Sequence, residues 1–306
     1  MQAVSKMLFP RCFTAVVTPF TEDNKIDIPS FHNVVAHSLK HNVGVVIFGT
    51  TGETPTLSYE EKTEMLQFIK TIEIPASHIV IGVGGNNTSE CIEMMDLAVS
   101  NGFTNIMVTT PYYNKPSQTG VYMHFKTISD ALAKLTADGR IIMYNVPTRT
   151  NVNLLPETVK RICSECPNII ALKEASGDLN QMLQIRKLVP DLALYSGDDG
   201  LVVPVISIGG VGLISVLSNA YPKEVNEIIG LCLDGNYSTA LTKYFAVHDT
   251  IKLLFSEPNP TPIKYMLYKM GLINTPRVRL PLIELENKDV VKKLYDFCST
   301  FDGDLC

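Results

Sequence analysis

The 306-residue chain has no excess of basic residues: 26 Lys and Arg stand against 31 Asp and Glu, a formal net charge of -5. It also lacks long basic runs and a basic half, so the electrostatic footprint of a nucleic-acid or anionic-membrane surface is missing and small molecules are the expected partners. Long apolar runs are absent too. Residues 1–12 hold no stretch of signal-peptide length and no later run approaches a membrane span, which makes the cytoplasm the expected location. The seven cysteines, Cys12, Cys91, Cys163, Cys166, Cys232, Cys298 and Cys306, are odd in number and scattered, unlike a disulfide framework. Cys163-Ser-Glu-Cys166 has a redox or half-zinc spacing, but it closes a helical pattern before Pro167 and has no second pair. His37 and His41 are four apart without the Glu that a zincin needs after the first, so they read as solvated helix positions. Gly82-Val-Gly-Gly85 lacks the third glycine of a dinucleotide fingerprint, which argues against a nicotinamide-dependent dehydrogenase.

What the chain does have is a hydrophobic content of 45%, ample for a sizeable core, and a regular succession of short apolar runs. Runs at 13–18, 44–49, 78–83, 105–109, 141–143, 168–173, 192–195 and 211–216 are rich in β-branched residues and bounded by polar turns, as buried parallel strands are. Between them lie helical patterns, among them 28–42, 88–100 and 120–135; a helix with a capping-box start at Ser58-Tyr-Glu-Glu61 is a fourth. Eight strands starting every ~20 to 36 residues bracket the roughly 30-residue unit of a (β/α)8 barrel, favoured over an open doubly wound sheet. The expected organisation is a barrel over residues 1–232 and a helical region over 233–306.

In such a barrel the active site lies just beyond the C-terminal ends of the strands. Chemistry-bearing residues stand at those places: Thr50 and Thr51 after the second strand, Tyr112 and Tyr113 after the fourth, Tyr144 and Arg149 after the fifth, Lys173 at the end of the sixth, Ser196 and Gly197 after the seventh. A lysine at a buried strand tip can lose enough solvation to become a neutral amine, a nucleophile toward carbonyl carbon. The bland alternative is a lysine snorkelling from the rim; for Tyr144 it is a satisfied core tyrosine, for Thr51 a helix-entry cap, for Arg149 a rim ion pair.

Gly49-Thr-Thr-Gly-Glu53, Pro111-Tyr-Tyr-Asn114, Tyr144-Asn-Val-Pro-Thr-Arg-Thr150, Leu172-Lys-Glu-Ala-Ser-Gly177 and Gly212-Leu-Ile-Ser-Val216 resemble, in order and over nearly the whole chain, the dihydrodipicolinate synthase and N-acetylneuraminate lyase family of class I aldolases. The resemblance implies a Schiff-base condensation of pyruvate with L-aspartate β-semialdehyde in diaminopimelate and lysine biosynthesis. Arg149 resembles the synthases rather than the N-acetylneuraminate lyases or keto-deoxy sugar-acid aldolases of the same family. By that resemblance Lys173 forms the imine, Tyr144, Thr50 and Tyr113 relay protons with Tyr113 supplied by a neighbouring subunit, and Thr51 holds the pyruvate carboxylate. Arg149 binds the semialdehyde carboxylate, and Gly197 and the Ile214 carbonyl line the pocket. A homotetramer built as a dimer of dimers is implied, with no metal and no organic cofactor, because the lysine itself supplies the electron sink. Asn86, Glu90 and Tyr112 match positions at which some members bind L-lysine, whereas Tyr59 and Lys62 replace histidines found there in some inhibited members. A binding protein that kept the fold without turnover is the remaining class, opposed by the full set of reactive groups.

Overall fold

A computed structural model describes residues 8–300; Cys306 lies outside the described residues. Eight parallel strands, hydrogen-bonded in chain order, close into a barrel, and helices follow the strands, the (β/α)8 architecture expected from the run spacing. The strands are β1 (Cys12–Ala15), β2 (Gly44–Ile47), β3 (Ile79–Gly82), β4 (Asn105–Thr109), β5 (Arg140–Asn145), β6 (Ile169–Glu174), β7 (Ala193–Ser196) and β8 (Gly212–Ser215). Nearly every strand residue is buried, because a parallel strand is covered on both faces. Several strands stop earlier than the apolar runs that announce them: β1 ends at Ala15, although Val16 and Val17 are also buried. Hydrophobicity marks the core; the ladder ends at the Val16 amide, which donates to the Val46 carbonyl at 3.1 Å, and the Val17 amide donates to the Asn219 side chain instead.

The chain divides into two compact units, the first comprising residues up to Met65 with those from Ser215 onward, the second Leu66–Ile214. In the first unit β1 and β2 pair with Phe13 opposite Gly44 and Ala15 opposite Val46. A Cβ on Gly44 would stand 2.5 Å from the Phe13 ring, so only glycine fits at this crossing. The helix Ile28–Lys40 starts where the Asp27 carboxylate accepts from the Ser30 amide and buries Phe31, Val34 and Val35. His37, expected to be solvated, is half-buried with Nε2 3.0 Å from the Ala220 carbonyl oxygen. The capping box at Ser58 and Glu61 forms reciprocally, at 2.9 and 3.2 Å. After the helix Pro222–Leu233 come three more helices, Tyr237–Leu254, Thr261–Lys269 and Lys288–Thr300.

In the second unit β3 to β6 are followed by the helices Thr88–Ser100, Gln118–Leu135, Pro156–Glu165 and Leu179–Leu188. Gln118–Leu135 begins two residues before the expected start because the Ser117 hydroxyl caps the Gly120 amide. Cys163 and Cys166 are free thiols at the end of Pro156–Glu165, and burial pushes the Cys163 thiol up to about 12. Among the described residues no helix is long and apolar enough to cross a membrane.

Candidate active site

In the second unit the strand register brings Tyr144 of β5 opposite Lys173 of β6, and Lys173 opposite Tyr195 of β7. Lys173 is 6% exposed, and its Nζ lies 4.2 Å from the centroid of the Tyr144 ring. Burial pulls the ammonium down to about 7; the Asp199 carboxylate works against that shift and the Arg149 guanidinium adds to it. Among the described residues Lys173 forms no ion pair. A substantial fraction of this amine is therefore neutral near pH 7, where an ordinary lysine is neutral in about one molecule in 10^3 to 10^4.

Gly197 follows β7 and donates its amide to the Glu174 carbonyl at 2.7 Å. A Cβ there would meet the Ala175 Cβ at 2.7 Å and the Lys173 Cε at 3.2 Å, so the bare backbone makes room for the lysine stem. Ile214, in β8, is buried. Arg149 sits not on an open turn but in a one-turn helix, Pro147–Thr150, closed by Asn151 in the left-handed conformation; its side chain is exposed. Proline at the first helical position and the Thr150 hydroxyl, bonded to the Val146 and Val152 carbonyls, hold that turn.

Beyond β4, Tyr112 is half-buried and Tyr113 is 84% exposed with φ 68°, a left-handed residue that turns its ring outward. Burial, with smaller contributions from Cys91 and Glu90, raises the Tyr112 phenol. Glu90, in the first turn of Thr88–Ser100, is exposed and accepts from Asn87 Nδ2 at 2.8 Å; Asn86 is half-buried in the loop before that helix. Tyr112 and Glu90 thus lie near enough to interact.

In the first unit Thr50 and Thr51 open a 3-10 turn, Thr50–Gly52, after β2. Thr51 is buried, and its hydroxyl oxygen accepts from Asn259 Nδ2 at 2.8 Å, an arrangement that leaves the hydroxyl proton to be donated elsewhere. Glu53, also left-handed at φ 53°, forms a fully buried ion pair with Lys264 and accepts from the Arg279 amide at 2.8 Å. Burial pulls Lys264 down to about 8, with the Glu53 carboxylate holding it up. Lys264 also donates to the Arg277 carbonyl at 2.8 Å. Tyr59 is exposed and Lys62 half-buried in the helix Tyr59–Ile69.

Reading the sequence missed two features. One is the Glu53–Lys264 pair, whose members are 211 residues apart. The other is a buried polar network behind the lysine: the Glu174 carboxylate accepts from Asn145 Nδ2 at 2.9 and 3.1 Å, the Ser176 amide at 2.6 Å and Gln181 Nε2 at 3.2 Å. Burial raises the Glu174 carboxyl while these donors oppose the shift. A signal was present, since an acidic residue next to Lys173 in an apolar strand must point to the opposite, helix-covered face and find donors there. Among the described residues no group of three or more His, Cys, Asp or Glu is placed to hold a metal ion.

Residues 8–296 match the model of the dihydrodipicolinate synthetase family. A protein of Endomicrobium trichonymphae named 4-hydroxy-tetrahydrodipicolinate synthase is 40% identical over 286 residues, 93% of this chain and 96% of the relative. The solved dihydrodipicolinate synthase of Aquifex aeolicus superposes with a TM-score of 0.87 at 34% identity, covering 95% of this chain and 97% of that one. That of Cyanidioschyzon merolae, solved with lysine bound, superposes with a TM-score of 0.87 at 34% identity, covering 95% and 99%. With the family model spanning almost every described residue and the barrel in agreement, the chain belongs to the dihydrodipicolinate synthetase family.

Proposed function

We propose that this chain is a lyase that condenses pyruvate with L-aspartate β-semialdehyde to 4-hydroxy-tetrahydrodipicolinate, in the diaminopimelate route to lysine, by Schiff-base chemistry on Lys173. The observation that carries the reading is a buried lysine held near pH 7 beside a tyrosine at the end of a barrel strand. The neutral amine adds to the pyruvate ketone and water leaves, forming an imine. The imine withdraws electrons, so the methyl group gives up a proton and the resulting enamine attacks the semialdehyde aldehyde carbon. The amino group of the condensed substrate then displaces Lys173 as the ring closes.

In this reading Tyr144, Thr50 and Tyr113 carry protons to and from the reacting atoms. Thr51 donates to the pyruvate carboxylate, Arg149 grips the semialdehyde carboxylate through paired charge-assisted hydrogen bonds, and Gly197 and the Ile214 carbonyl line the pocket. Exposure of Arg149 and its influence on Lys173 support a group facing an incoming anion. Tyr113, outward-turned and highly exposed, supports a side chain that completes a partner subunit's site within a homotetramer, a dimer of dimers. The enzyme works in the cytoplasm and uses no cofactor. Asn86, Glu90 and Tyr112 form a site for L-lysine at which inhibition is weak or absent, since the cationic Lys62 stands where some inhibited members carry histidine.

Borohydride reduction in the presence of pyruvate, followed by peptide mapping, tests the reading. Pyruvate should be fixed to the peptide containing Lys173, and Lys173→Ala should abolish the label. Modification of Lys264, or of any other lysine with Lys173 untouched, would overturn it.

A further inference from the structure

The network behind Lys173 has a fixed polarity. The Leu154 amide donates to Asn145 Oδ1 at 2.9 Å, so Asn145 Nδ2 must face Glu174 and, at 2.8 Å, Asn153 Oδ1. Asn153 Nδ2 then donates to Gln181 Oε1 at 2.7 Å, which turns Gln181 Nε2 toward Glu174. At the other end the Ser176 amide donates to Glu174. Every amide orientation follows from the Leu154 N–H, and the bonds to Glu174 all come from donors: an acceptor-only carboxylate fits, and no neutral isostere does.

The elements joined are the ones the chemistry needs. Asn145 pairs with Glu174 in the same register step beyond the pair of Tyr144 with Lys173, so the two pairs point to opposite faces of the strands. Asn153 and Leu154 lie just past the one-turn helix that carries Arg149, and Gln181 is in the first turn of Leu179–Leu188. We infer that Glu174, through Asn145, Asn153 and Gln181, is a positioning residue that sets where Arg149 stands relative to the Lys173 imine, and thereby acts on capture of the anionic aldehyde rather than on imine formation. The inference rests on the aldolase reading above and assigns the network its part in the second half of that reaction.

The test separates the two half-reactions in the intact enzyme. Glu174→Gln places an NH2 group against the donors of Asn145 and Gln181. It is expected to lower kcat/KM for the semialdehyde at least tenfold, while the rate of pyruvate trapping by borohydride stays within about threefold of the unmodified enzyme. The double variant Glu174→Gln/Asn145→Asp restores a donor facing an acceptor and should recover most of the loss. Asn153→Ala, which cuts the network at a half-exposed position without touching the lysine's strand, should show the same split if Glu174→Gln does not fold. Semialdehyde kinetics within twofold of the unmodified enzyme, an equal loss in both half-reactions, or a double variant no better than the single one would each overturn the inference. Absence of pyruvate trapping in the unmodified enzyme would instead overturn the aldolase reading, and this assignment with it.

Discussion

Two lysines are buried among the described residues, and their surroundings set them apart. Lys264 is clamped by Glu53 and a backbone carbonyl, so its charge is kept; Lys173 is buried without an ion pair among the described residues, so its charge is what burial opposes. The sign of the stability effect follows from the direction of the shift. An unfolded lysine holds its proton to the ordinary range near 10.4, whereas the folded Lys173 gives it up at about 7. Between those values the unfolded chain binds more protons, so stability rises with pH across that window; below about 7 the full cost applies, on the order of 5 kcal/mol. Lys173→Met should therefore stabilise the protein at pH 6.5 by about 1 kcal/mol or more and flatten the rise toward pH 10, checked by denaturant unfolding at several pH values. A variant less stable than the unmodified protein at pH 6.5, or with the same pH slope, would contradict the desolvated amine. Imine formation should climb with pH to about 7 and then level.

At the scale of elements, the segment from Asn259 to Arg279 grips the turn after β2 at three points: Asn259 on Thr51, Lys264 on Glu53 and Arg279 on both Glu53 and Glu61. Removing one partner of a buried pair leaves an uncompensated charge, at a cost of ~3 to 5 kcal/mol. Lys264→Met should thus lower stability by that order, and adding Glu53→Gln should return much of it; urea unfolding of the single and double variants measures both. Single-variant stability within about 0.5 kcal/mol of the parent would show that the pair is not the clamp. These contacts mark where the sequence stopped being legible. The strands could be read because a buried parallel strand is a short apolar run between turns, and Lys173 could be read as a candidate because it ends one. Arg149's helix was not, since four residues carry no periodicity. Glu53 with Lys264 and Glu174 with Gln181 were not, because which polar side chains meet depends on packing between segments remote in the chain or on a face that strand alternation only names.

For the molecule as a whole, the exposed Tyr113 ring turns the proposed proton relay into a question of association. If each site takes its Tyr113 from a two-fold-related partner, two separately inactive variants should complement. Mixing Lys173→Ala and Tyr113→Phe subunits under exchange gives half mixed dimers, each with one intact site, so activity should return to about a quarter of the parent value. Mixtures that stay inactive while subunit exchange is shown by mass would place Tyr113 in its own subunit's site or in none. Two of the thiols, Cys91 and Cys163, bear on a different property, the order in which side chains meet an electrophile. Burial holds Cys91 at about 11 and Cys163 at about 12, so near pH 7 roughly one molecule in 10^4 or fewer carries the thiolate at either, while about half carry a neutral Lys173. The usual ranking, thiol before amine, is thereby inverted between these residues: a carbonyl or activated ester small enough to enter the site would find its nucleophile in nitrogen rather than in sulfur.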